Sequence, residues 1–173
     1  VGAADPDVDE VFGGDFAVWS TVTISIDDLG TGESPDYQTT AGTDGWGNFG
    51  TSFPGEFDLL PGHLVTVSDT VATKYHTAAG LVITGVDVDF DTISGTGPVD
   101  SWLWISMWGD NASRHVETDS NGNWTADFSV AGDGEWTVDI VPGAQGEVGW
   151  HDDDNDFTRA MWRVPNPAIG VDP

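Results

Sequence analysis

Two clusters of aspartates have the residue types and spacing that bind a hard cation. Asp152, Asp153, Asp154 and Asp156 place four carboxylates within a short segment, with Asn155 among them. Calcium takes about six to eight oxygen ligands, and a loop of this composition could supply several. The segment is not an EF-hand, because it lacks the glycine and the terminal glutamate of that loop. We expect calcium to be the cofactor if this cluster binds a metal.

The second cluster is Asp87, Asp89 and Asp91, which alternate with apolar residues. In a strand, these three carboxylates would share one face. The same series occurs near the N terminus, at Asp5, Asp7 and Asp9. Like charges at this spacing repel unless they share a cation or are solvated, so two interpretations stay open. One is a calcium site, and the other is a solvated surface adapted to high salt.

Residues 101–108 contain a row of tryptophans. Alternation along a strand divides the segment into an apolar face, made of Leu103, Ile105 and Met107, and an outward indole face, made of Trp102, Trp104 and Trp108 with Ser106. Outward indoles on this scale need a cover, which another domain, another subunit or a sugar could provide. We expect protein to cover them, since adjacent indoles suit a flat apolar interface. Glycan binding and burial by a loop of the same chain are the alternatives.

Two segments match the sequon for N-glycosylation, Asn111-Ala-Ser113 and Asn123-Trp-Thr125. Asn123 is also accounted for by a turn, so Asn111 is the better candidate.

Patterns typical of catalysis are not found in the sequence. The histidines (His63, His76, His115 and His151) are scattered and lack the spacing of a zinc site. There is no nucleophile elbow and no phosphate-binding loop. Carboxylate pairs could be chosen anywhere among 30 acidic residues, so such a pair carries no information. We predict that the protein is not an enzyme.

The elements that carry these residues occur twice. Asp44-Gly-Trp-Gly-Asn-Phe49 recurs as Asp119-Ser-Asn-Gly-Asn-Trp124, and Leu60-Pro-Gly62 recurs as Val141-Pro-Gly143. Such self-similarity marks repetition of one structural unit, which is usual in spacers, scaffolds and adhesive stalks. Each copy has the size of one small β-sandwich. The sequence therefore predicts two domains, at residues 1–82 and 83–173.

Short alternating runs rich in Val, Ile, Thr and Trp predict strands, and helical periodicity is absent. The clearest runs are Ser20–Ile26, Leu64–Val67, Leu81–Val88, Trp102–Trp108, Trp124–Val130, Trp136–Val141 and Arg159–Val164. Clusters of Gly, Pro, Asn and Asp separate them, as in a sandwich of short strands. The predicted class is all-β.

Residues 119–128, followed by Gly134-Glu-Trp-Thr-Val138, resemble the bacterial immunoglobulin-like repeats of large surface adhesins. Ile93-Ser-Gly-Thr-Gly97 resembles the first strand of those repeats, and residues 66–76 are similar to the closing strand. The resemblance covers most of both copies, although the first keeps only the turn and its aromatic residue. It implies two tandem immunoglobulin-like (Greek-key) β-sandwiches, an extracellular or cell-surface location and calcium-stiffened joints.

The charge balance excludes several partners. A net charge of −26 repels nucleic acid and anionic membranes. The sequence contains no apolar run long enough to predict membrane insertion. The absence of cysteine excludes disulfides and thiolate metal sites.

These observations predict a non-enzymatic extracellular structural protein, a subunit or repeat unit of a cell-surface filament, sheath or stalk. Its expected partners are further copies or neighbouring repeats, and glycans. The alternative function is a carbohydrate-binding or calcium-stiffened adhesin module.

Overall fold

Fourteen strands, and no helix, make up the regular structure of the described residues in a computed structural model. The structure describes the backbone of residues 2–5, and describes residues 8–132, 135–167 and 169 in full. Asp7 of the first acidic series and Gly134 of the adhesin-like motif lie outside the described residues. The all-β prediction is confirmed.

The strands form two sets of seven. The first set is β1 (Gly2–Asp5), β2 (Glu10–Gly13), β3 (Thr21–Asp27), β4 (Tyr37–Gly42), β5 (Phe49–Ser52), β6 (Leu64–Ser68) and β7 (Thr73–Thr77). The second set is β8 (Val82–Asp87), β9 (Thr92–Thr96), β10 (Trp102–Met107), β11 (Ala112–Glu117), β12 (Asn123–Asp127), β13 (Gln145–His151) and β14 (Phe157–Arg163).

Both sets have the same strand order. The first has β1-β2-β5 and β4-β3-β6-β7, and the second has β8-β9-β12 and β11-β10-β13-β14. These are the A-B-E and C′-C-F-G orders of immunoglobulin-like sandwiches, with Greek-key crossings between sheets. β1 also pairs in parallel with the start of β14, where Ala3 and Ala4 lie opposite Phe157 and Thr158. The predicted immunoglobulin-like sandwich fold is confirmed.

Strand register repeats along with strand order. Gly13 of β2 lies opposite Phe49 of β5, and Gly95 of β9 lies opposite Trp124 of β12. At Gly95 a Cβ atom would collide with the Val82 carbonyl oxygen and with the Trp124 ring. In both copies the repeated glycine and the repeated aromatic residue are therefore paired across neighbouring strands. At position 95, the absence of a side chain leaves room for the Trp124 indole.

The chain divides into two compact units, each made of two segments. Unit 1 is Val1–Leu81 with Gly149–Ala160, and unit 2 is Val82–Val148 with Met161–Pro173. The sequence-based division at residue 82 instead treats each half as one continuous segment.

Side chains at alternate positions of the strands form the core of unit 1. Val22, Ile24 and Ile26 of β3 are fully buried, and the residues between them face outward. Phe16 and Phe49 meet edge to face, with ring centroids 5.5 Å apart. Burying each such side chain contributes about 1.5–3 kcal/mol.

The core of unit 2 follows the same pattern on β10, where Leu103, Ile105 and Met107 are buried. Trp124 and Phe128 supply its bulk. The predicted inward face of β10 is correct.

The strand predicted at Trp136–Val141 is wrong, because these residues form no strand. Their backbone groups pair elsewhere. The Trp136 carbonyl accepts from Arg114 Nη2 (3.0 Å), the Val138 N–H donates to the Phe128 carbonyl (3.0 Å), and the Ile140 N–H donates to Asp91 Oδ1 (2.7 Å). A segment whose backbone groups are satisfied in this way needs no neighbouring strand.

Candidate functional site

The repeated turn uses its aspartate to bind backbone. Asp119 Oδ1 accepts from the N–H groups of Asn121 (2.8 Å) and Asn123 (2.9 Å). Asp44 does the same for Trp46 and Asn48, at 2.8 and 2.9 Å. The Asn123 side-chain amide and its backbone N–H are the main groups that lower the pKa of Asp119 below its usual value. These carboxylates are therefore turn residues whose oxygens are already engaged.

The glycine of each turn has a positive φ, +79° at Gly47 and +80° at Gly122. A Cβ there would collide with the carbonyl oxygen of Phe16 or of Gly97. Glycine is required at both positions by conformation and by close approach.

Asp91 also serves the fold. It has φ +53° just before β9, its carbonyl accepts from the Phe128 N–H (2.8 Å), and its Oδ1 accepts from the Ile140 N–H (2.7 Å). Asp9 repeats this in unit 1, with φ +50° and a bond from the Leu59 N–H (2.8 Å).

Asp87, Asp89 and Asp91 do not share one face of a strand, so the prediction of a shared face is wrong. Asp87 ends β8 and accepts from the N–H groups of Asp89 (3.0 Å) and Phe90 (3.2 Å), which turns the chain toward β9. Asp89 is exposed in this turn. The alternation seen in the sequence belongs to a tight turn, where the carboxylates bond to nearby backbone.

The second acidic cluster forms the β13–β14 turn, within unit 1. Asp152 Oδ1 accepts from the Asp156 N–H (2.9 Å), and Asp152 Oδ2 lies 2.8 Å from His76 Nδ1. Asp154 lies 3.9 Å from the Lys74 ammonium group. Asp153 is exposed, whereas Asp156 is fully buried.

The described residues bring together no group of three or more His, Asp or Glu side chains that could hold a metal ion. Calcium binding at either cluster therefore stays a prediction.

His76 joins Asp152 to Thr158, an arrangement with the chemical types of a catalytic triad. His76 Nε2 lies 2.9 Å from Thr158 Oγ1, which also accepts from the Ala79 N–H (2.9 Å). Thr158 is fully buried and His76 is 5% exposed, so no substrate reaches the hydroxyl. The three residues hold the Gly149–Ala160 segment in unit 1. No local pattern pointed to them, because His76 is separated from its two partners by 76 and 82 residues.

The tryptophans predicted to face outward are exposed, two of them on β10 and Trp108 just after its end. Trp102, Trp104 and Trp108 are 64%, 38% and 43% exposed. Trp102 and Trp104 of β10 lie opposite Glu117 and His115 of β11, respectively. The prediction is wrong for Ser106, which was placed on the same outward face and is buried.

A groove of about 510 Å³ opens at the end of this face. Trp104 and Trp108 line it, together with Asn111 and Ser113. Clefts that bind small ligands have about 300–1,000 Å³. The structure therefore places the better sequon beside two of the three predicted tryptophans.

The two sequon asparagines differ in their surroundings. Asn111 is an exposed turn residue with φ +52° between β10 and β11. Asn123 begins β12, and its Nδ2 atom donates to both carboxylate oxygens of Asp119, at 3.3 and 3.1 Å.

Exposed aromatic residues of unit 1 were not predicted. Trp19 and Trp46 are 80% and 82% exposed, and the Trp19 ring covers Gly45. Trp46 occupies a middle position of the Asp44 turn, where side chains face solvent. Its exposure could therefore have been predicted from the turn motif.

None of the described residues forms a helix long and apolar enough to cross a membrane.

No protein-family model matches the chain, and no curated protein matches it. Among solved structures it is similar to the BSP domain of a biofilm-associated protein (14% identity, TM-score 0.37, 97% of this chain and 29% of that chain). It is also similar to part of a 1.5-MDa bacterial ice-binding adhesin (14%, 0.29, 96% and 62%). A third similarity is to a C-terminal fragment of intimin solved with its receptor's intimin-binding domain (17%, 0.26, 96% and 62%). The chain thus spans between 29% and 62% of these chains.

Proposed function

We propose that the protein is a non-enzymatic structural module of an extracellular assembly, a subunit or repeat unit of a surface filament, sheath or stalk. The observation that carries this proposal is the duplicated sandwich, with the same strand order and register in both sets. A duplicated scaffold suits a spacer or a polymer unit.

The use of the acidic residues supports a structural role. Asp9, Asp44, Asp91 and Asp119 accept hydrogen bonds from backbone N–H groups. The Asp152–His76–Thr158 arrangement is closed to substrate by burial. These particular side chains are therefore committed to turns and packing.

Contacts between copies would run through exposed apolar surface. Trp102 projects from β10 in unit 2 and is 64% exposed. Large aromatic side chains contribute strongly to protein interfaces, because they bury much area for few rotatable bonds.

Sedimentation velocity of the purified chain in high salt tests self-association. The wild type should sediment as oligomers, and Trp102→Ser should shift it toward monomer. Trp46→Ser, which removes an exposed indole from unit 1, is the matched control. A wild-type monomer both in calcium and in high salt would contradict the proposal.

A second candidate is a carbohydrate-binding module, favoured by the groove at Trp104 and Trp108. Indole walls stack on sugar rings, and the groove has the volume of a small-ligand cleft. A glycan array should then give hits that Trp104→Ala removes and Trp46→Ala leaves. An array without hits would eliminate this candidate.

A further inference from the structure

The turn between β10 and β11 joins a sequon to the tryptophan groove. Asn111 is exposed in this turn, and Ser113 supplies the sequon hydroxyl, paired across the ladder with Ser106. Asn111, Ser113, Trp104 and Trp108 all line the same groove of about 510 Å³. The acceptor residue thus lines the same groove as two tryptophans.

We propose that Asn111 is an N-glycosylation site and that the first sugars of its glycan pack against Trp104 and Trp108. Attachment at Asn111 holds a sugar beside the indoles without a separate binding event, so the local concentration is high. The apolar faces of sugar rings would cover rings that are 38% and 43% exposed.

The modification has a defined chemistry. An oligosaccharyltransferase supplies the glycan from a lipid-linked sugar phosphate. A bond forms between the anomeric carbon and Asn111 Nδ2, and the bond from that carbon to the phosphate oxygen breaks. The phosphate leaves on its lipid with the electron pair, and the amide proton passes to a base of the transferase.

The second sequon is unsuitable for the same reaction. Asn123 Nδ2, the atom that would be modified, donates to both oxygens of Asp119. Attachment there would replace an N–H that holds the repeated turn.

This inference is independent of the proposed assembly. A glycan in the groove covers Trp104 and Trp108, and leaves Trp102 for contact with another protein surface. Glycosylation and self-association can therefore be measured separately.

Mass spectrometry of the full chain secreted from a eukaryotic cell line tests the site. Ser113→Ala removes the sequon while keeping Asn111 and its turn, Ser113→Thr restores the sequon, and Thr125→Ala removes only the second sequon. A glycan on Asn111 is expected in the wild type, Ser113→Thr and Thr125→Ala, and not in Ser113→Ala. Unmodified Asn111 in the secreted wild type would overturn the site.

Hydroxyl-radical footprinting tests the packing. Oxidation of Trp104 and Trp108 should be several-fold lower in the glycosylated wild type than in Ser113→Ala. Trp102 and Trp46 serve as internal controls and should be oxidised equally in both. Equal oxidation of Trp104 and Trp108 in the two proteins would overturn the packing, even with the glycan attached.

Discussion

Asp9 and Asp91 each precede a strand in a left-handed conformation, and each accepts a hydrogen bond from a backbone N–H far along the chain. The donors lie 50 and 49 residues later, at Leu59 and Ile140. Both donors belong to fully or nearly fully buried residues, at 0% and 2% exposure. At the scale of single residues, each aspartate accepts a hydrogen bond from a buried N–H group that has no strand partner.

Asp91→Ala should lower the free energy of unfolding by about 1–3 kcal/mol, because it leaves the Ile140 N–H buried without its acceptor. Asp91→Asn is the matched control, since asparagine keeps an acceptor oxygen and tolerates positive φ. Urea unfolding gives the free energy, and amide hydrogen exchange reports on Ile140 directly. An unchanged exchange rate at Ile140 in Asp91→Ala would contradict this role.

Protonation of the turn carboxylates should lower the free energy of unfolding at acidic pH. Hydrogen bonds lower the pKa of Asp119 and of Asp44 in the folded state. Their contribution is therefore present above the usual aspartate pKa, about 3.9, and is lost as pH falls through the lower folded value. Asp119→Asn, which does not titrate, should flatten the loss of stability below about pH 4. Identical pH profiles of unfolding in the two proteins would show that Asp119 contributes nothing to it.

At the scale of elements, short-range patterns were predictable and long-range pairings were not. Alternation on β10 predicted which side chains are buried, because adjacent residues of a strand point to opposite faces. The strand expected at Trp136–Val141 fails, since its backbone pairs with Arg114 and Asp91. The segment Gly149–Ala160 joins unit 1 through His76. Neither pairing leaves a local pattern in the sequence.

Arg114 is the strongest example of such a pairing. Its guanidinium group donates to the carbonyls of Asp127, Phe128, Val130 and Trp136, and lies 4.5 Å from the centroid of the Phe128 ring. One planar fork thus holds the connection between β12 and β13.

Arg114→Lys should destabilise unit 2 by at least about 2 kcal/mol, because one ammonium group cannot donate to all of these carbonyls at once. Limited proteolysis should then cut residues 129–140 faster than in the wild type. The conservative change at an exposed position, Arg163→Lys, is the control and should have little effect. Equal cutting of Arg114→Lys and wild type would remove Arg114 from this account.

At the scale of the whole molecule, 30 acidic residues face four lysines and arginines. Three of those four cations already have an acidic neighbour: Lys74 with Asp154, Arg114 with Glu135 and Arg159 with Glu10. Most of the negative charge must therefore be offset by cations from the solvent.

The melting temperature should rise with sodium chloride between 0.1 and 1 M, since the screening length falls from about 10 to about 3 Å. Calcium chloride at matched ionic strength separates screening from binding. A larger rise in calcium, lost in Asp152→Asn, would favour a metal site, and an equal rise would favour salt adaptation. A melting temperature that ignores salt would contradict the charge argument.

We propose that this chain builds an extracellular assembly. Immunogold electron microscopy of thin sections of native cells, in which both the interior and the surface are open to an antibody against the folded protein, tests it most directly. The account predicts label along filaments, a sheath or stalks outside the cell, with the same antibody giving no label on cells that lack the protein. Label confined to the cell interior would contradict it.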